Sequence, residues 1–156
     1  MRRSSGDCTG ERPLLVTASL QAHFPFHVWD WRTGSEVARL SLQREESGRL
    51  LFAPDGSLLA TATDLGVSLW DTATWEPAHA LGGHGPVRDL AFSPDGGLLG
   101  TVGHTDRVLV WDAHAGRLRG EFCWRPGDVP GAVAFAPDGL TAAAAYPDAV
   151  VLWDVG

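Results

Sequence analysis

Few residues of this chain combine the types and spacings that chemistry requires. His23 and His27 stand four apart, which on a helix would suit a metal. The intervening Phe24-Pro25-Phe26 reads instead as a turn entering a strand, so the two rings need not converge, and no third ligand is near where zinc usually takes three or four. His104 and Asp106 form a His-x-Asp pair of the acid–base kind, but between two apolar runs they read as a turn network supporting Trp111. Cys123 could be a thiol nucleophile, yet beside Trp124 at a strand end a partly buried structural cysteine fits better. Cys8 and Cys123 together give neither a ligand spacing nor a disulfide framework. Asp55, Asp95 and Asp138 each sit in a Pro-Asp-Gly set copied along the chain, and a catalytic residue is rarely copied that way, so they read as turn formers. The sequence holds no Gly-x-Ser-x-Gly elbow, no phosphate-cradling loop and no His-Glu-x-x-His, and it has no Lys at all. The expectation is no catalytic residue, no metal site and no cofactor.

The elements that would position any site are set by a repeat. Trp29-Asp30, Trp70-Asp71, Trp111-Asp112 and Trp153-Asp154 recur at intervals of 41, 41 and 42 residues. A fixed period of about 40–45 residues marks one supersecondary unit that needs neighbours to bury its apolar face. Phe52-Ala-Pro-Asp-Gly56, Phe92-Ser-Pro-Asp-Gly96 and Phe135-Ala-Pro-Asp-Gly139 precede the last three tryptophans by 18, 19 and 18 residues. In such a turn Pro fixes φ, Asp bonds local backbone and Gly accepts positive φ. After each comes a short apolar run (Leu58 to Thr63, Leu98 to Val102, Leu140 to Ala145), a second turn, and an apolar run ending in Trp-Asp. A third turn leads to a further strand, as in Val37 to Leu42 or Arg117 to Phe122. Four short strands per unit is an all-β reading.

Period, Phe-Ser/Ala-Pro-Asp-Gly turn and Trp-Asp ending together resemble the WD40 repeat family, over nearly the whole chain. The resemblance implies four-stranded antiparallel blades of a β-propeller, with strands a to d and the Trp on strand c. It also implies a polar network from that Trp through Ser or Thr to a b–c turn Asp and a His before strand a. The candidates are Asp64, Asp106 and Asp148 for the turn, His84 after Gly83 for the histidine, and Thr101 for the hydroxyl, so that only the third unit has every part. Trp29, Trp70, Trp111 and Trp153 then read as inter-blade core residues rather than a ligand box. Leu14 to Ser19 aligns with strand b of the first unit, and no convincing strand a lies in Met1 to Thr9. Residues 1–13 therefore read as an irregular N-terminal segment and 14–156 as the repeat domain. The expected architecture is about 3.5 to 4 blades in an incomplete ring or open arc, since closed propellers have about 4–8. The simplest description is the C-terminal part of a larger, bacterial-type propeller, and the all-Arg basic set without Lys, Asn or Ile reads as the nucleotide bias of a high-GC source.

Composition narrows the partners. A net charge of −7 disfavours sequence-independent nucleic-acid binding. No run approaches the roughly 18 apolar residues of a membrane span, and the cysteine usage suits a reducing cytoplasm. A non-catalytic scaffold holding a protein or peptide is the leading class. The resemblance places binding on the d–a and b–c loops, with Gln43 to Gly48, Gly82 to Pro86 and Cys123 to Gly131 as the d–a loops. Aromatic and Arg side chains dominate interface energetics, so Trp124 and Arg125 are the leading hot-spot candidates, followed by Arg44, Glu45, Glu46, His84 and Arg88. One rival has the chain completing a larger propeller attached to a catalytic or signalling domain; another is a propeller hydrolase or lyase, for which no His, Asp or Glu cluster is seen. Incomplete terminal blades further imply self-association.

Overall fold

The structure, a computed structural model, describes residues 6–8, 13–17, 26–40, 46–83 and 85–155. These form fifteen strands and no helix. Blade 1 holds β1 (Gly6–Cys8), β2 (Leu14–Thr17), β3 (Phe26–Asp30) and β4 (Ser35–Leu40); blade 2 holds β5 (Glu46–Phe52), β6 (Leu58–Thr63), β7 (Gly66–Asp71) and β8 (Pro77–Gly82). Blade 3 holds β9 (Asp89–Phe92), β10 (Leu98–Val102), β11 (Val108–Asp112) and β12 (Arg117–Phe122); blade 4 holds β13 (Ala132–Phe135), β14 (Thr141–Ala145) and β15 (Val150–Asp154). Every pairing is antiparallel between neighbours in sequence, the arrangement that short turns enforce. Each Pro-Asp-Gly set occupies an a–b turn. At the first, Gly56 takes φ 72° and donates to Ala53 O at 2.8 Å, while Asp55 Oδ1 accepts from Ser57 N at 3.0 Å.

One turn departs from its copies. The c–d turns of blades 1 and 3 close on Gly34 and Gly116 at φ 70° and 64°; in blade 2 that position is Trp75, held at φ 59°. Its amide still donates to Asp71 O at 2.7 Å, and its half-buried ring packs on the core between blades 1 and 2. The Trp-Asp aspartates cap these turns: Asp30 accepts from Arg32 N and Thr33 N, Asp71 from Ala73 N and Thr74 N, and Asp112 from Ala115 N.

The first blade corrects the sequence reading. Gly6–Cys8 is a strand, paired to β2 as Gly6↔Thr17 through Cys8↔Leu15, inside the segment read as irregular. Gly-Asp-Cys has no apolar alternation, so this inner strand is specified by its neighbour's ladder and not by its own pattern.

The inner strands β1, β5, β9 and β13 meet in succession, and the blades stack face to face without closing a ring. Each interface pairs a forward face with the backward face of the next blade. Val16, Phe26 and Val28 of blade 1 meet Phe52, Leu59 and Trp70 of blade 2. Ala60, Val67 and Leu69 of blade 2 meet Leu90, Leu99 and Trp111 of blade 3. Val102 and Val108 of blade 3 meet Val133, Ala144 and Tyr146 of blade 4. Burying one such side chain stabilises by about 1.5–3 kcal/mol, so each interface contributes through apolar packing.

Trp70 and Trp111 are buried as expected, at 5% and 7% exposure. Trp29 and Trp153 are only half-buried. Trp29 lies on the backward face of blade 1, which no described blade covers.

Candidate loop-face site at the seam of blades 3 and 4

The tryptophan networks differ from the expected ones. Trp29, Trp70 and Trp111 each donate from Nε1 to a strand b threonine, Thr17, Thr61 and Thr101, at 3.0 Å. The indole–hydroxyl step is thus not confined to the third unit. The equivalent of these threonines in blade 4 is Ala144, paired with Val151 two residues before Trp153, and the buried Trp153 Nε1 has no partner among the described residues. A β-bulge falls immediately before Trp29, Trp70 and Trp111 on the c–d ladder; such bulges re-aim side chains.

The b–c turn aspartates face the loops. Asp106 Oδ2 accepts from Gly127 N at 3.0 Å, and that bond holds its carboxyl below the usual range. Asp148 binds the Arg125 guanidinium through two contacts, Nη1–Oδ1 at 2.6 Å and Nη2–Oδ2 at 3.3 Å. Asp64 keeps a buried Oδ1 without a partner among the described residues. His104 is exposed, and His27 Nδ1 lies 2.9 Å from Glu36 Oε1. His23 lies outside the described residues.

The b–c turns of blades 3 and 4 converge with the β12–β13 loop into one polar and aromatic cluster. Arg125 Nε also lies 2.9 Å from Asp128 Oδ2, and its guanidinium carbon stands 5.7 Å from the Tyr146 ring centroid. Trp124 stacks on Phe122 with centroids 5.1 Å apart and meets Trp153 at 4.5 Å. Arg107 pairs with Asp106 and Glu121. Cys123 is exposed, not partly buried as its neighbour Trp124 suggested, and desolvation, then the Asp106 carboxylate, push its thiol above the ordinary value. Burial pushes the Tyr146 phenol up, and its hydroxyl has no partner among the described residues.

Of the partner-binding candidates, this cluster brings Trp124 and Arg125 together, each half-buried and already engaged within the chain. Arg88 is exposed immediately before β9. Glu46 opens β5, and its side chain, like the whole of Arg44, Glu45 and His84, falls outside the described residues. Among the described residues no three His, Cys, Asp or Glu gather as metal ligands, and no helix is long and apolar enough to cross a membrane.

The sequence reading overlooked Asp89. Its Oδ1 receives Arg49 Nη1 at 2.7 Å and its Oδ2 accepts from Val133 N at 3.0 Å, so one carboxylate ties the inner strands of blades 2, 3 and 4. An acidic residue opening the otherwise apolar Leu90-Ala91-Phe92 strand was the available signal.

Comparison with known proteins agrees with this geometry. Residues 75–112 match the family described as "WD domain, G-beta repeat", a span from the c–d turn of blade 2 to the end of β11. WD repeat and SOCS box-containing protein 1 of Takifugu rubripes is 35% identical over 107 residues, covering 66% of this chain and 25% of the relative. WD repeat-containing protein 36 of Homo sapiens is 27% identical over 147 residues, 92% of this chain and 16% of the relative. Periodic tryptophan protein 2 homolog of Mus musculus is 32% identical over 108 residues, 68% and 11% respectively. The chain thus spans between about a tenth and a quarter of the length of these curated relatives. Four-stranded blades, the repeat match and WD-repeat relatives over most of its length together support placing this chain in the WD40 repeat family.

Proposed function

We propose that the chain is a non-catalytic scaffold that holds a peptide or protein on its loop face, in the cytoplasm. The WD-repeat relatives support a protein–protein interaction scaffold in general. The observation that carries the specific reading is the seam of blades 3 and 4, where Trp124, Arg125, Arg107 and Tyr146 stand among Asp106, Asp128 and Asp148 on loops anchored by rigid strands. Arg and aromatic side chains in that setting are the residue types of binding hot spots. Arg88, Arg44, Glu46 and His84 extend the proposed surface along the other d–a loops.

The test is selection of peptide ligands from a random library, followed by Arg125→Ala and Arg88→Glu in the full chain. Removing a hot-spot contact costs about 2 kcal/mol, roughly thirtyfold in Kd, while the circular dichroism spectrum stays unchanged. Ligands that bind both variants as tightly as the parent would move the interface off this face. Trp124→Ala is the weaker test, because the ring also packs on Phe122 and Trp153.

A second reading is structural completion of a larger, bacterial-type propeller of which these blades are the C-terminal part. It draws on the small share of the relatives' length that the chain covers. Self-association through the end blades belongs to the first reading, motivated by the exposed apolar side chains of Val150 and Leu152 on β15.

A further inference from the structure

Two arginines serve four carboxylates at the seam of blades 3 and 4. Arg125 meets Asp128 on its own loop and Asp148 on the b–c turn of blade 4, while Arg107 meets its neighbour Asp106 and Glu121 on β12. Among the described residues of the seam, negative charge is therefore in excess by two. Exposure is just as uneven. The Asp148 and Asp128 side chains are 71% and 47% exposed, whereas Arg125, which holds both, is 32% exposed. An ionised carboxylate accepts from several donors at once, so the solvent side of each can take a further N–H.

The seam holds a second sign of a missing donor. Tyr146 is 6% exposed, and its hydroxyl makes no hydrogen bond among the described residues. The Arg125 guanidinium carbon stands 5.7 Å from its ring centroid, and the charges of Arg125, Asp106 and Asp128 all act on the phenol, so the hydroxyl lies within the same cluster. Buried polar groups are nearly always paired, and one left unpaired is destabilising. Trp153 Nε1 is unpaired too, but there the cause is local, since its strand b position is Ala144 in place of a threonine. The kind of partner follows from what is lacking. A phosphorylated or acidic segment needs an unengaged guanidinium, and both arginines of the seam are already held by carboxylates. A cationic side chain brings N–H donors, offsets the excess charge and packs on an aromatic face, as Arg125 does on Tyr146. The net charge of −7 draws the same kind of partner from a distance.

We infer that the seam takes a basic segment of a protein partner, whose Arg or Lys side chain docks against the Asp128 and Asp148 carboxylates and donates to the Tyr146 hydroxyl. Arg125 is then a strut. It bridges Asp128 on the β12–β13 loop to Asp148 on the β14–β15 turn and so fixes the spacing of the two acceptors, which makes its removal weaken binding as well. The inference rests on the loop-face reading above and adds the charge of the partner and the groups that read it.

The peptides selected from the random library test it, read for composition and then titrated by fluorescence anisotropy. The expected ligands carry Arg or Lys, lose affinity with added NaCl, and bind about tenfold more weakly to the chain carrying both Asp128→Asn and Asp148→Asn. Both side chains are exposed, so that variant keeps its circular dichroism spectrum. Tyr146→Phe, which removes only the unpaired hydroxyl, is expected to weaken the same peptides without lowering the melting temperature of the free chain. Neutral or acidic ligands that Arg125→Ala and Arg88→Glu still weaken would overturn the inference and leave the loop-face reading standing. Basic ligands that bind the double variant as tightly as the parent would overturn the docking of their charge at Asp128 and Asp148. Ligands indifferent to every one of these variants would overturn both the inference and the reading beneath it.

Discussion

Trp153 shows what a single hydroxyl does in this repeat. Three tryptophans donate to a strand b threonine at 3.0 Å, while Trp153 faces Ala144 and its buried N–H is unpaired. An unmet buried donor costs about 1–3 kcal/mol, and a net hydrogen bond contributes about 0.5–1.5 kcal/mol. Ala144→Thr and Ala144→Val add nearly the same volume, so any crowding is common to both. Chemical denaturation should find the Thr variant more stable than the Val variant by about 0.5–1.5 kcal/mol. Equal stabilities would show that the threonine position contributes only volume. Trp70 matches Trp111 in burial and in its threonine bond, while His84, the histidine expected in the Trp111 set, lies outside the described residues.

At the scale of strands and blades, most of the architecture was legible from turn chemistry and period. The strands read from Leu58, Leu98, Val108 and Arg117 start where the apolar runs start, because Pro-Asp-Gly and the Gly-closed turns punctuate them. β1 was not legible, since three residues of Gly-Asp-Cys carry no alternation and depend on β2 for their pairing. The role of Asp89 was hidden for a related reason: its partners Arg49 and Val133 lie 40 and 44 residues away, on other blades. At the candidate site the residue types at Trp124 and Arg125 were legible, but their intramolecular partners Trp153 and Asp148 were not. The blade order also ranks the tryptophans. Trp70→Ala and Trp111→Ala should cost about 3–5 kcal/mol each, as large aromatic core truncations do. Trp29→Ala and Trp153→Ala should cost less, since both rings are half-exposed and one indole lacks a partner. Denaturation midpoints of the four variants check this, and Trp153→Ala proving costlier than Trp111→Ala would contradict the assigned stacking order.

For the whole molecule, the central claim is that one inter-blade contact, used three times, stacks the four blades in chain order. β11 is then covered from both sides by its neighbouring blades, whereas Val150 and Leu152 of β15 are exposed. Amide hydrogen exchange reads both strands in the same sample. Exchange at Val108–Asp112 should be slower than at Val150–Asp154. Exchange at Val108–Asp112 as fast as at Val150–Asp154 would contradict the account.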